Sequence, residues 1–120
     1  MPNIQVVFPA TGNPILLHDA EMCPRGEAIT WCFHSANSAI KSVEVEFSHP
    51  DSTFFGNTSS PLSRRVGLVN GKADFYGHVP NYPVPLPSPK IAKYTVRGYD
   101  AMNGGNVVAE VDPVIITSQP

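Results

Sequence analysis

Apolar and polar residues alternate in two consecutive runs within residues 27–47, EAITWCFHSANSAIKSVEVEF. In the first run, Ile29, Trp31 and Phe33 fall on one face and the residues between them on the other. Period-two alternation of this kind is typical of a strand with one face toward a core. The second run places three apolar residues on one face in the same way: Val43, Val45 and Phe47. The pattern predicts two strands joined by a polar turn, with the tryptophan in the core.

Shorter runs with the same alternation are bounded by turn residues and predict further strands. We expect Tyr94 and Val96 to face inward, and Asp112-Pro113 to interrupt the last pair of strands, because proline cannot donate to a ladder. No stretch has a helical period, so the pattern predicts an all-β fold. The predicted strands are residues 3–8, 15–18, 91–100, 106–111 and 114–117, with loops at residues 9–14 and 19–26.

Asn70-Gly71 predicts a two-residue type I′ hairpin turn, in which both central residues have positive φ. Such a turn fixes the register of the flanking strands, and this register agrees with their apolar pattern. The predicted pairs are Val69 with Lys72, Leu68 with Ala73, Val66 with Phe75, and Arg64 with Gly77, with Arg65 stacked on Tyr76. We interpret the basic doublet Arg64-Arg65 as a solvated strand edge.

Residues 80–89, PNYPVPLPSP, contain five prolines. Proline has no N–H to donate, so we expect an extended, polyproline-like connection. A ligand for a proline-binding domain is the alternative. The tight flanking strands favour a stiff crossover between two sheets.

The length of 120 residues predicts a single domain, residues 1–120, with one core. A net charge of −2 lacks the basic footprint of a nucleic-acid-binding protein, and no apolar run is long enough to span a membrane. The first residues, MPNIQVVFPATGNP, lack the basic and apolar regions of a signal peptide. The expected location is therefore cytoplasmic, unless a leader peptide has been removed, and the two cysteines do not decide it.

Three segments together resemble the cupredoxin group, the plastocyanin-like domains: GEAITW, GKADFYGHVP followed by KYTVRGYD, and EVDPVIIT. They resemble a strand that follows a glycine and carries a core aromatic, the late strands, and the closing strand. Immunoglobulin-like sandwiches share most of these patterns. The prediction is an all-β, Greek-key β-sandwich of about seven to nine strands, cupredoxin-like or immunoglobulin-like.

The resemblance also implies where copper ligands would stand. It places Gly98 at the position of the thiolate, Ala101 near that of a histidine, and Lys41 or Ser42 near the early histidine. A blue-copper centre needs two imidazoles and one thiolate, and these positions carry neither. The resemblance therefore implies a sandwich without its metal, and we expect no cofactor.

Cys23, Cys32 and His34 are the candidate site residues. Cys32 and His34 lie two apart on one strand and point to the same side, so with Cys23 and His18 or His49 they would suit a metal or thiol site. Cys23 and Cys32 would alternatively form a disulfide, or remain two reduced thiols.

Catalytic motifs such as G-x-S-x-G and H-E-x-x-H do not occur, and Glu44 and Glu46 are typical of the solvent side of a strand. The predicted function is a non-catalytic binding or assembly domain, with a homo-oligomer or another protein as partner and no nucleic acid or membrane. The alternatives are a small metal- or thiol-based redox protein using the three site residues, or an accessory module of a larger secreted enzyme. Val7, Ile91 and Tyr99, which lie out of phase with the inward residues, predict an exposed apolar patch for association.

Overall fold

The computed structural model describes residues 3–16, 20–24, 26–49, 54–55, 62–80 and 90–117. Within these residues every regular element is a β-strand, and the strands form two sheets packed around one core. The prediction of an all-β sandwich is confirmed, although the described residues form ten strands where seven to nine were expected. In chain order they are β1 (Asn3–Phe8), β2 (Ile15–Leu16), β3 (Ala20–Met22), β4 (Ala28–Ser35), β5 (Ser42–Phe47), β6 (Ser63–Gly67), β7 (Lys72–His78), β8 (Lys90–Tyr99), β9 (Val107–Val111) and β10 (Val114–Thr117).

The first sheet has four strands in the order β2-β1-β4-β7, and the second has the order β3-β10-β8-β5-β6 with β9 alongside β8. Most neighbours are antiparallel, but β1 runs parallel to β4 and β3 runs parallel to β10. Parallel neighbours need a connection that returns to the starting end of the sheet. The connection from β1 to β4 does so while it contributes β2 to one sheet and β3 to the other.

The core lies between the sheets, on the faces that the alternation predicted. The indole of Trp31 is fully buried, and its ring centroid lies 6.2 Å from that of Phe47 and 6.0 Å from that of Tyr94, both on the opposite sheet. Edge-to-face pairs at such distances stabilise the core beyond the area that they bury. Other residues expected in the core are also fully buried: Ile29, Phe33, Val45 and Val96. The side chain of Phe75, which belongs to the apolar pattern of the predicted hairpin, lies outside the described part of the chain.

The Asn70-Gly71 turn has the predicted geometry, because φ is 54° at Asn70 and 73° at Gly71. Val69 and Lys72 face each other across it and exchange backbone hydrogen bonds of 2.9 and 3.1 Å. The ladder does not continue beyond this pair, because β6 joins β5 in the second sheet and β7 joins β4 in the first. The other predicted contacts are therefore wrong: Val66 with Phe75, Leu68 with Ala73, Arg64 with Gly77, and Arg65 with Tyr76.

The hairpin opens because each of its strands finds a neighbour in a larger sheet. The Leu68 N–H donates to the Lys41 carbonyl at 2.9 Å, and the Ser35 N–H donates to the Gly71 carbonyl at 2.7 Å. An isolated two-stranded ribbon is marginally stable, whereas a strand added to a sheet with an apolar face is supported by its packing. The turn therefore carries the chain from one layer to the other.

Residues 20–22, which were predicted to be loop, form the short strand β3. It lies parallel to β10, with Ala20 opposite Val114 and Met22 opposite Ile116. The Cys23 N–H extends the pairing by donating to the Ile116 carbonyl at 2.9 Å. Three residues are too few for a recognisable alternation, which is why the sequence pattern missed this strand. The predicted strand at residues 15–18 contains β2, and residues 17–19 lie outside the described part of the chain.

Strand β8 has β5 along one edge and β9 and then β10 along the other. Val111 lies opposite Val96 and Val114 opposite Lys93, so the register is kept across Asp112-Pro113. The strand is interrupted at Asp112 and Pro113, as predicted, because proline has no backbone N–H to donate. The Pro113 carbonyl still accepts a hydrogen bond from the Tyr94 N–H at 3.1 Å.

The proline-rich segment links β7 in the first sheet to β8 in the second, which agrees with a connection that crosses between layers. Residues 81–89 lie outside the described part of the chain, so their polyproline-like conformation stays a prediction. The described residues include no helix with the length and apolar character of a membrane span.

Candidate functional site

The structure keeps two of the three residues that the sequence singled out on one strand face and separates the third from them. Cys32 and His34 lie on the outer face of the first sheet, where Cys32 is half-buried and His34 is exposed. Cys23 follows β3 in the second sheet and is buried in the core. Among the described residues no group of three or more His, Cys, Asp or Glu side chains is arranged to hold a metal ion. Cys23 and Cys32 form no disulfide, so of the two alternatives the structure has the pair of thiols.

The surroundings of Cys32 keep its thiol protonated. Its Sγ donates a weak hydrogen bond to Asn3 Oδ1 at 3.3 Å. Burial raises the pKa of Cys32, and the carboxylate of Asp74, opposite it on β7, raises that pKa further. Reactive cysteines have electropositive surroundings that favour the thiolate. The environment of Cys32 has the opposite character, which weakens the redox alternative.

A row of alternating charges crosses the outer face of the second sheet. The strand register places Arg65 of β6, Glu44 of β5, Arg97 of β8 and Glu110 of β9 side by side. Arg97 Nη1 lies 3.1 Å from Glu44 Oε1 and 2.7 Å from Glu46 Oε1, and its Nε lies 2.7 Å from Glu110 Oε2. Opposite charges on directly facing strand positions stabilise a sheet. We call Arg65, Glu44, Arg97 and Glu110, together with Glu46, the charged row.

The charged row shifts the pKa values of Arg97 and of the neighbouring Tyr99. Burial disfavours the charge of Arg97, but hydrogen bonds with Glu46, Glu110 and Glu44 outweigh it and hold the pKa of Arg97 above its usual value. The Tyr99 hydroxyl donates to Glu44 Oε1 at 2.6 Å, and burial first, then Glu44, raise the pKa of Tyr99. A general acid or base must exchange a proton with a substrate. Carboxylates engaged by a guanidinium are better suited to stabilising the sheet.

Arg65 has a different environment from the one predicted. The doublet does lie on a strand at the edge of the sheet order, and Arg64 is exposed. The Arg65 guanidinium, however, stacks on the Tyr99 ring, with Cζ 3.7 Å from the ring centroid. The interpretation of Arg65 as solvated is therefore wrong. Its aromatic partner is Tyr99 on β8 and not Tyr76, which is exposed.

The same guanidinium holds the loop that follows β8. Arg65 Nη2 donates to the carbonyls of Ala101, at 3.0 Å, and Gly104, at 2.6 Å. Its Nε donates to Ser42 Oγ at 3.0 Å, and that hydroxyl donates to the Ala101 carbonyl at 2.6 Å. Ser42 is consequently buried although it lies on the outer face of the sheet. Arg65 thus stabilises the loop by satisfying carbonyls that no strand pairs.

Three apolar side chains lie side by side at the opposite end of the same outer face. Met22 of β3, Ile116 of β10 and Ile91 of β8 are directly opposite one another in the strand register. Met22 is 59% exposed and Ile91 60% exposed, while Ile116 between them is half-buried. We call these three residues the apolar row. Val114, the next outward residue of β10, is half-buried and extends it.

The apolar row differs from the patch that the sequence predicted. Val7 lies on the outer face of the first sheet, and Tyr99 lies under Arg65 at the far end of β8 from Ile91. Ile91 and Tyr99 are eight positions apart along β8, a distance of roughly 26 Å. Val7, Ile91 and Tyr99 therefore do not share a patch. The sequence pattern did not identify Met22, because β3 is too short to show alternation, and it gave Ile116 no exposed apolar neighbour.

A cavity of about 500 Å³ opens at the end of the sandwich that carries the hairpin turn. Its apolar walls include Ile40, Leu68 and Met102, and its polar walls include Lys41 and Asn70. The volume suits a small ligand. Along one wall, Lys41 Nζ donates to the Ser38 carbonyl at 3.0 Å.

Comparison with protein-family models, with curated proteins and with solved structures found no match for this chain. The functional argument therefore depends on the geometry of its surfaces.

Proposed function

We propose that this chain is a non-catalytic binding or assembly domain and that the apolar row is its contact surface. The supporting observation is that Met22 and Ile91, each more than half exposed, lie on either side of Ile116 on a single face. Isolated apolar residues are normal on a protein surface, whereas adjacent ones are typical of an interaction site. A protein surface that covers the row would remove its side chains from water and stabilise the complex.

A non-catalytic function agrees with the chemistry of the other sites. The carboxylates of the charged row are bound by Arg97, and the Cys32 thiol lies beside an acidic residue that disfavours the thiolate. Neither arrangement supplies a poised acid, base or nucleophile. Cys23 lies apart from Cys32 and His34, and this is why we place the metal- or thiol-based redox protein second.

We further propose a cupredoxin-like arrangement that functions without copper. Support for the arrangement comes from the burial of Trp31, which the resemblance places in the core. Support for the absence of copper comes from Gly98, the position that the resemblance gives to the thiolate. A Cβ at Gly98 would lie 2.8 Å from Ile40 Cδ1 and 3.0 Å from Phe8 Cε1, so core side chains fill that space. Titration with Cu(II) should produce no intense thiolate-to-copper absorption band.

The contact surface can be tested by methionine oxidation, because the chain carries a matched internal control. Met22 lies in the apolar row and is 59% exposed, while Met102 lies at the other end of the sandwich and is 54% exposed. Limited oxidation by peroxide converts exposed methionine to the sulfoxide. The ratio of the two oxidation rates would be measured by mass spectrometry in dilute pure protein, in concentrated pure protein, and in an extract of the source cells.

If the row is a contact surface, Met22 should be oxidised several-fold more slowly than Met102 in the concentrated sample, the extract, or both. In dilute pure protein the two rates should be similar. An unchanged ratio under all three conditions would contradict assembly through this surface. Protection in the extract alone would indicate a partner that is a different protein.

A further inference from the structure

The border of the apolar row carries one cation and one anion. Lys93 follows Ile91 on the outer face of β8, and Asp112 precedes Val114 on the neighbouring chain segment. Both side chains are exposed, and neither belongs to an ion pair within the part of the chain that the structure describes. They line a depression of about 210 Å³ together with Thr95, whose hydroxyl donates to Asp112 Oδ1 at 2.8 Å.

We propose that the partner of the apolar row is a second copy of this chain, in a two-fold dimer that pairs Lys93 of each copy with Asp112 of the other. The proposal rests on the function proposed above. In a two-fold interface the same surface meets itself, so it must be complementary to itself. A surface with an apolar row and both signs of charge at its border meets this requirement, because each copy supplies the cation for the anion of the other.

The strand register defines an axis that makes these contacts together. Rotation about an axis parallel to the strands, between β8 and β10, places Ile91 of one copy over Ile116 of the other, and the reverse. The same rotation places Asp112 of the second copy over Thr95, which is the next outward residue after Lys93. Successive outward positions are roughly 7 Å apart along a strand, a separation that the long lysine side chain can cross. The apolar contacts and the two ion pairs therefore form in one arrangement.

Charge complementarity favours a second copy over a partner of one charge sign. A strongly acidic surface would be attracted to Lys93 and repelled by Asp112, and a basic surface would meet the opposite conflict. Only a partner that also carries both signs, in reversed order, satisfies the two positions together. A second copy provides that order by symmetry.

The test uses charge reversal and mixing. Lys93→Glu and Asp112→Lys would be studied separately and as an equimolar mixture by sedimentation velocity, beside the unaltered protein. Each variant alone faces itself with like charges at two symmetric positions, so its dimer should be weakened about 100-fold. In the mixture, the glutamate introduced at position 93 of one variant meets the lysine introduced at position 112 of the other, and the remaining Lys93 meets the remaining Asp112. The mixture should therefore form heterodimers with close to the original affinity.

The variants are expected to fold, because both positions are exposed, and circular dichroism melting would verify this. Asp112→Asn is a milder control that keeps an oxygen acceptor for Thr95 and removes only the charge; its dimer should be weakened less than that of Asp112→Lys. The pairing would be refuted if both single variants formed dimers as strong as those of the unaltered protein. It would also be refuted if the mixture stayed monomeric while the unaltered protein dimerised. A monomer at every concentration, combined with Met22 protection in the extract, would refute the second copy while leaving the contact surface in place.

Discussion

Removal of Arg97 provides a quantitative test of how the charged row stabilises the second sheet. Arg97 pairs with Glu44 at 3.1 Å and with Glu110 at 2.7 Å, and its side chain is 22% exposed. The Glu44 side chain is 16% exposed, and that of Glu110 is 47% exposed. Distance therefore predicts a stronger pair with Glu110, whereas burial predicts a stronger pair with Glu44.

The magnitudes show that burial decides between the two pairs. The difference between 3.1 and 2.7 Å changes the Coulomb energy by about 15%. An effective dielectric constant of about 20 near Glu44, against about 80 near the more exposed Glu110, changes that energy roughly fourfold. The gross attractions are then about 5 and about 1.5 kcal/mol. After the costs of desolvation and side-chain ordering, we expect coupling energies of about 1.5–2 kcal/mol for Glu44 and about 0.5 kcal/mol for Glu110.

Two double-mutant cycles measure these energies. One combines Arg97→Met with Glu44→Gln, and the other combines Arg97→Met with Glu110→Gln, with the free energy of unfolding taken from urea titrations. One molar salt should lower the coupling to Glu110 by the larger fraction, because exposed pairs are screened more strongly. A coupling to Glu110 equal to or larger than that to Glu44 would refute the argument from burial.

Three further changes test other parts of the structure. Gly71→Val should lower the free energy of unfolding by about 1–2 kcal/mol in thermal or urea denaturation. The reason is that φ at Gly71 is 73° and a Cβ there would lie 2.8 Å from a backbone oxygen. Gly12→Val is the control for conformational strain alone, because Gly12 has a φ of 94° and open space around the position of a Cβ. Burial and a neighbouring carboxylate raise the folded-state pKa of Tyr99 above its usual value of 10.0, so its contribution to stability is complete below about pH 10 and is lost as pH rises through the folded-state pKa. Tyr99→Phe should therefore flatten the alkaline decline in unfolding free energy, and an identical decline would count against the raised pKa of Tyr99. The raised pKa of Cys32 predicts slow alkylation of its thiol by iodoacetamide at pH 8. Asp74→Asn should accelerate this alkylation, because the Asp74 carboxylate raises the pKa of Cys32. An unchanged alkylation rate would exclude this influence of Asp74.

The sequence predicted those features of the fold that depend on neighbouring residues. The inward faces of β4 and β8 follow from alternation, which is a property of each strand alone. The positive φ values at Asn70 and Gly71 follow from the turn residues themselves. These parts of the fold could be predicted because no distant contact has to be known.

The features that could not be predicted depend on competition between distant partners. Strands β6 and β7 suit a hairpin locally, but β5 and β4 offer each of them a larger sheet. Arg65 was expected on Tyr76, and it stacks on Tyr99 of β8 instead. Met22 becomes part of the apolar row only because three residues of β3 pair with β10 through their backbones. In each case the partner is chosen by sheet order, which local patterns do not specify.

The pairing of β3 with β10 has a consequence for synthesis of the protein. Ala20 and Val114 are more than ninety residues apart in sequence, so β3 leaves the ribosome long before its neighbour. Until β10 emerges, the apolar row lacks Ile116, and Met22 and Ile91 are not held on one face. A growing chain therefore cannot form the complete apolar row before β10 has left the ribosome.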